Sequence, residues 1–240
     1  MEIIPAIDII EGHCVRLSQG DYSRKKIYSD DPTLIAKKYE DAGIRRLHLV
    51  DLDGARAKKV VNLDVLKSIA GSTELFIDFG GGIRAGADIE SVFKAGASMI
   101  TGGSIAVSAP RKFSEWIRKY GPDRIILGAD VRDRRIAIGA WMETSEMDIL
   151  DFMNIYQQES IKYVICTDVS RDGVLKGPAI ELYREILMNF PGINLIASGG
   201  VSSMHDLDLL EAAGVWGVII GKAIYEGKIT LKELKPFIEA

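Results

Sequence analysis

The chain has 240 residues, 47% of them hydrophobic and 27% charged, with a formal net charge of −4. Lys and Arg are scattered rather than run together, which gives no electrostatic footprint for nucleic acid, so an anionic ligand has to be held locally. Cys14 and Cys166 have no metal-like or paired spacing, and no apolar run approaches the roughly 20 residues of a membrane span; a reduced, cytoplasmic protein is expected, free of membrane and nucleic acid. The N-terminus lacks a basic region followed by a long apolar stretch, so export is not expected.

Short apolar runs alternate with segments of helical period along the whole chain. In order, the strands are expected at Ile3-Ile7, Leu47-Val50, Leu75-Phe79, Ser98-Thr101, Ile125-Ala129, Tyr163-Cys166, Asn194-Ala197 and Gly217-Ile220. Helices are expected at Pro32-Ala42, Asn62-Ala70, Asp88-Ala95, Pro110-Lys119, Met147-Glu159, Ile180-Asn189 and Met204-Ala213, with Leu231-Ile238 closing the chain. Pro32 and Pro110 sit where a first helical turn tolerates proline, and Gly43, Gly96 and Gly214 where a helix would end. The stretch Arg132-Trp141 after the fifth strand reads as a long loop of the site.

Eight strand–helix units in one unbroken chain specify an α/β fold of the (β/α)8, or TIM barrel, type, in which the loops after the strands build the site. An open doubly wound sheet is the competing architecture. The chain, however, repeats itself. Ile77-Asp-Phe-Gly-Gly-Gly-Ile-Arg84 returns as Leu195-Ile-Ala-Ser-Gly-Gly-Val-Ser202, and an offset of 118 (199 − 81) also places Asp88 on Asp206, Gly96 on Gly214 and Gly103 on Gly221. A single barrel domain, 1–240, with an internal half-barrel duplication near residues 1–120 and 121–240 is the expectation.

Four glycine clusters in two matched pairs follow apolar strands: Gly80-Gly81-Gly82 with Gly102-Gly103-Ser104, and Gly199-Gly200 with Gly221-Lys222. Without a Cβ the backbone approaches an anion closely, and N–H groups opening a helix point at it, so two cradles for two phosphates are expected. No acidic ribose partner follows at the spacing of a dinucleotide fingerprint. Asp8 and Asp130 close the first and fifth strands at an offset of 122 (130 − 8) and should face each other across the barrel mouth. Two such carboxylates can divide general-acid and general-base work. Thr167, Asp168 and Asp172 follow the sixth strand as further candidates, while Asp53, before a glycine, reads equally as a turn residue. Arg16, Arg84 and Trp141 complete the shell as candidates to clamp a phosphate or stack on a heterocycle. His13, His48 and His205 show no metal-ligand spacing and read as structural or solvated; neither a metal nor another cofactor is indicated.

As a set, Pro5-Ala-Ile-Asp8, Gly12-His-Cys-Val-Arg-Leu17, Gln19-Gly-Asp-Tyr22, His48-Leu-Val-Asp-Leu-Asp-Gly-Ala55, Gly80-Gly-Gly-Ile-Arg84, Gly139-Ala-Trp141, Thr167-Asp-Val-Ser-Arg-Asp-Gly173 and Ala197-Ser-Gly-Gly-Val201 resemble the histidine-biosynthesis isomerase family that converts ProFAR to PRFAR. The resemblance covers essentially the whole chain. It implies a half-duplicated barrel, a small-molecule substrate with a phosphate at each end, and a cofactor-free Amadori rearrangement of an aminoaldose to an aminoketose. It also implies Asp8 as the base and Asp130 as the acid; from the residues themselves, Thr167 reads as hydrogen-bonding in the site and Asp172, in the loop after the sixth strand, as a rival acid. The phosphates would lie on Arg16, Gly81, Gly82, Arg84, Gly103 and Ser104, and on Gly177, Gly199, Gly200, Gly221 and Lys222, with Trp141 beside the heterocycle. Two departures stand out: Asp78, where a neutral side chain is expected, and Thr101-Gly-Gly before Ser104.

Three other readings compete. The sister barrel is the ammonia-using cyclase subunit of imidazole glycerol phosphate synthase; the Trp141 loop and the Gly12-Leu17 motif argue against it. A bifunctional isomerase would also accept phosphoribosylanthranilate. A non-catalytic phosphosugar-binding barrel would need the cradles but not two opposed carboxylates. A monomer is expected, because a closed barrel leaves no sheet edge.

Overall fold

The computed structural model describes residues 1–18, 20–139 and 141–239. Its first half contains β1 (Glu2–Ile10), β2 (His13–Ser18), β3 (Asp21–Ser29), α1 (Pro32–Asp41), β4 (Arg46–Asp51), α2 (Leu52–Ala57), α3 (Leu63–Ala70), β5 (Phe76–Gly80), α4 (Gly86–Lys94), β6 (Met99–Gly102), α5 (Ser104–Ser108) and α6 (Pro110–Tyr120). The second half continues with β7 (Ile125–Arg132), β8 (Arg135–Ile138), β9 (Glu143–Asp148), α7 (Ile149–Gln157), β10 (Tyr163–Asp168), α8 (Ile180–Asn189), β11 (Asn194–Ser198), α9 (Met204–Ala212), β12 (Gly217–Ile220), α10 (Lys222–Tyr225) and α11 (Lys235–Ile238).

Eight parallel strands pair in the order β10-β11-β12-β1-β4-β5-β6-β7, and β7 pairs with β10 to close the ring. Closure explains the near-continuous apolar runs, since each barrel strand is buried on both faces. Along β1 the residues alternate between two cores. Ile3, Ile7 and Ile9 pack outward beneath the helices, whereas Ile4 and Ala6 join Met99, Ile126, Tyr163, Ile165, Ile196 and Ile219 inside the barrel.

Local chemistry sets the helix starts. Asp31 caps α1 by accepting from the Thr33 N–H at 2.8 Å, with Pro32 in the first turn. The repeat reaches this level of detail. Asp88 accepts from the Arg84 and Ala85 N–H groups at 2.8 Å each, and Asp206, 118 positions on, accepts from Ser202 and Ser203 at 2.7 and 3.1 Å.

The structure departs from the sequence expectation at several points, the unexpected short helices α2, α5 and α10 among them. β1 runs on to Ile10 and turns back into the antiparallel hairpin β2–β3, which the polar sequence of β3 hides. After β7, the stretch expected as a loop forms the antiparallel β8, paired onward with β9 as far as Asp148, so α7 starts at Ile149 rather than Met147. The closing helix is short, spanning Lys235–Ile238 only. No helix among the described residues is long and apolar enough to cross a membrane.

Candidate active site

A deep cavity opens at the C-terminal ends of the barrel strands, where TIM barrels place their chemistry. Asp8 on β1 and Asp130 on β7 both line it. Their strands are four positions apart in the eight-strand ring, so the two carboxylates enter from opposite walls. Arg16, His48, Arg84, Thr101, Trp141, Thr167 and Asp172 line the same cavity.

Each strand-end aspartate is held by a residue from the antiparallel extension of its own strand. Arg16, on β2, places Nη1 2.8 Å from Asp8 Oδ2 and Nη2 3.5 Å from Asp172 Oδ1. Trp141, in the turn between β8 and β9, donates its indole N–H to Asp130 Oδ2 at 2.8 Å. Thr167, in register with Asp130 on the neighbouring β10, also hydrogen-bonds that carboxylate. Gly20 and Trp141 bring the two extensions together, since a Cβ at Gly20 would lie 2.8 Å from the indole ring.

Burial raises all three carboxyl groups above the ordinary carboxylate range, but their neighbours differ. For Asp8 the Arg16 charge opposes burial, while Asp172 adds to it. For Asp172 the opposing charges are Arg16 and Lys222. Asp130 is opposed mainly by neutral donors, Trp141 and Thr167, with a smaller contribution from His48. Arg16, facing two carboxylates, is raised further above its already high value. The arrangement therefore holds a cation-paired carboxylate on one wall and a carboxyl bonded by neutral donors on the other, which suits a base and an acid respectively.

The glycine turns occupy matched positions in the two halves. A Cβ at Gly81 would lie 2.2 Å from the Asp51 carbonyl, and one at Gly82 2.4 Å from that of Lys59. At Gly199 and Gly200 the corresponding obstacles are the Asp168 and Gly177 carbonyls, at 2.9 and 2.2 Å. All four have positive φ. Gly103 and Gly221 immediately precede the short helices α5 and α10, whose first residues are Ser104 and Lys222.

The two sets are not equally open. Gly81, Gly82, Gly103 and Ser104 line the cavity, whereas Gly177, Gly199, Gly200, Gly221 and Lys222 do not. The loop after β10 packs over them: Gly177 donates its N–H to the Gly200 carbonyl at 2.9 Å, and Lys222 donates to the Gly173 carbonyl at 2.7 Å. Arg16 lies over Gly221, its Cζ 2.6 Å from where a Cβ would stand.

Asp53 and Asp168 are organisers of turns. Asp53 accepts from the Glu11 N–H at 2.6 Å, and Asp168 from the Ser170 N–H at 3.0 Å and from Arg171 Nε at 3.2 Å. Asp51, the counterpart of Asp168 and fully buried, accepts from the Gly54, Val61 and Asn62 N–H groups at 2.7–2.9 Å. His48, expected to be structural or solvated, lines the cavity. Its register places it there: it pairs with Ala6 on β1 and Asp78 on β5, both at inward positions. Within the quoted motifs, Gln19 and Ala140 lie outside the described residues. Among those residues, no group of three or more His, Cys, Asp or Glu side chains is placed to hold a metal ion.

A closed (β/α)8 barrel with opposed acidic side chains in its C-terminal mouth belongs to the class of barrel enzymes. Within that class, residues 2–230 match the family model described as histidine biosynthesis protein, and the chain belongs to that family. A Parabacteroides distasonis relative is 54% identical over 99% of both chains. A Bacteroides fragilis relative is 56% identical over 99% of this chain and 100% of its own, and a Flavobacterium psychrophilum relative is 53% identical over 99% of each. All three carry the name 1-(5-phosphoribosyl)-5-((5-phosphoribosylamino)methylideneamino) imidazole-4-carboxamide isomerase.

Proposed function

We propose that this chain is an aldose–ketose isomerase of histidine biosynthesis that converts ProFAR to PRFAR by an Amadori rearrangement. The observation that carries the reading is the pair Asp8 and Asp130, entering one cavity from opposite walls beside the Gly81, Gly82 and Gly103 turns. Asp130 is assigned as the acid: its partners are mainly neutral donors, whereas Asp172 faces the cations Arg16 and Lys222. Asp130 gives its proton to the ribose ring oxygen as the C1–O bond breaks, leaving a Schiff base. Asp8, ion-paired with Arg16, removes the proton from C2, and the electron pair of that bond forms the C1–C2 double bond of an enaminol. Loss of the enol proton and protonation at C1 complete the aminoketose. The oxidation at C2 balances the reduction at C1, so no external redox partner enters.

One phosphate is assigned to Gly81, Gly82, Arg84, Gly103 and Ser104, the other to Gly177, Gly199, Gly200, Gly221 and Lys222, with Arg16 between the second cradle and the carboxylates. Backbone N–H groups at the starts of α5 and α10 supply the donors. Because Lys222 now bonds Gly173, binding at the second cradle exchanges that carbonyl for phosphate and moves the loop after β10. We read the enzyme as a cytoplasmic monomer acting on a small bis-phosphate; its size in solution is checked by light scattering. The activity is tested by adding ProFAR to the purified chain together with the cyclase and glutaminase that consume PRFAR. Consumption that requires this chain supports the isomerase; ammonia-dependent consumption of PRFAR by the chain alone would assign it to the cyclase.

A further inference from the structure

The barrel interior contains one polar pair that the mechanism above leaves unused. His48 and Asp78 stand opposite each other on β4 and β5, inside a barrel otherwise filled at this level by Ala6, Met99 and Ile165. His48 Nδ1 is 2.6 Å from Asp78 Oδ1, and Thr101 donates its hydroxyl to the same oxygen at 2.8 Å. Asp78 lies behind the ring, 5% exposed and outside the cavity lining, whereas His48 and Thr101 reach the cavity. With Nδ1 committed to the carboxylate, the ring orientation is fixed and Nε2 is directed away from Asp78. Among the described residues no hydrogen bond reaches Nε2, and the side chain, 13% exposed, lines the cavity.

A buried ion pair in place of well-packed apolar side chains is seldom the more stable solution. This pair contains the notable departure at Asp78, and its His48 lines the same cavity as Asp8 and Asp130. We propose that His48 is a further catalytic residue, whose Nε2 hydrogen-bonds the sugar oxygen at or beside the carbon deprotonated by Asp8, and that Asp78 and Thr101 are the positioning residues that aim it. The inference rests on the isomerase reading.

The charges around the ring agree with that role. Burial pulls the imidazole toward the neutral form, but Asp78, by charge and hydrogen bond, together with Asp8 and Asp130, raises its pKa overall. These three carboxylates, from β5, β1 and β7, are the charged groups facing it. An imidazolium in this position offers Nε2–H to an oxygen as the neighbouring C–H bond breaks, the kind of fixed donor whose removal slows turnover by about 100-fold.

Steady-state kinetics with ProFAR, joined to 15N NMR of the histidine rings, tests the proposal. In His48→Asn, kcat is expected to fall about 100-fold while KM changes less than about threefold, because the phosphates still anchor the substrate. Asp78→Asn, nearly the same shape, is expected to lower the His48 pKa and to lower kcat by about tenfold; a merely structural pair would leave the ring's link to turnover unmoved. Should His48→Asn not fold, the ring signals of the Asp8→Asn enzyme with and without saturating ProFAR decide: a shift of Nε2 supports the contact, and an unmoved signal overturns it. An active wild type whose folded His48→Asn variant keeps kcat within about twofold overturns this inference alone. A wild type inert toward ProFAR overturns the isomerase reading and this inference with it.

Discussion

Trp141 donates its indole N–H to Asp130 Oδ2 at 2.8 Å, reaching from the turn of one strand extension to the carboxylate at the end of the barrel strand that precedes it. The same ring lies against Gly20 at the tip of the other extension. The bond lowers the pKa of Asp130 against the upward pull of burial. In Trp141→Phe the donor is lost and the Asp130 pKa rises. The high-pH limb of kcat, where the acid loses its proton, should therefore move to higher pH, and kcat should fall about tenfold, as expected for a lost hydrogen bond to a charged group. A kcat–pH series on both enzymes checks the direction.

Arg16→Met acts on the opposite limb. The guanidinium 2.8 Å from Asp8 holds that carboxyl down against burial, so its removal raises the Asp8 pKa. A base works only when ionised, and the acid limb of kcat should move upward by about 1–2 units. An acid limb that stays in place would separate Asp8 from the base role.

Asp130→Asn should exchange activity for stability. A carboxyl whose folded pKa lies above its ordinary 3.8 binds its proton more tightly when folded, so ionisation weakens the fold. That cost is fully present above the folded pKa and vanishes as pH falls below 3.8. The variant should therefore melt about 2–4 °C higher near pH 8, in line with a gain of about 1 kcal/mol, and the advantage should shrink toward pH 4. Calorimetry at the two pH values measures it.

The matched glycines give a test of the repeat in stability. Gly82 and Gly200 have φ of +80° and +87°, and a Cβ at either would strike a carbonyl, at 2.4 and 2.2 Å. Alanine at either should cost about 2 kcal/mol or more, by similar amounts. Gly12, at φ +79° with nothing within 4 Å of a Cβ, should cost only the roughly 1 kcal/mol of the backbone conformation itself. Urea unfolding of the three variants compares them directly.

Much of this was legible in the sequence because it is local. Ile3, Ile77 and Leu195 mark strands buried on both faces, and the 118-residue offset carries over from letters to hydrogen bonds at Asp88 and Asp206. What was hidden is non-local or polar. β3 is an exposed strand of Lys, Arg and Ser with no apolar alternation to announce it, and its pairing depends on β2 folding back along β1. His48 has an ordinary sequence context; only barrel closure turns it toward the cavity beside Asp78. The cover over Gly199 and Gly200 depends on how the loop after β10 folds, which no single motif encodes.

The measurement that tests the central claim most directly is turnover of ProFAR by the wild type, Asp8→Asn and Asp130→Asn, each with ProFAR binding measured by calorimetry. The account expects both variants to bind ProFAR within about tenfold of the wild type and to lose at least about 1,000-fold in kcat, since each lacks one of the two proton-transfer groups. Turnover by Asp8→Asn within about tenfold of the wild type would contradict it, because a group other than Asp8 would then have to take the C2 proton.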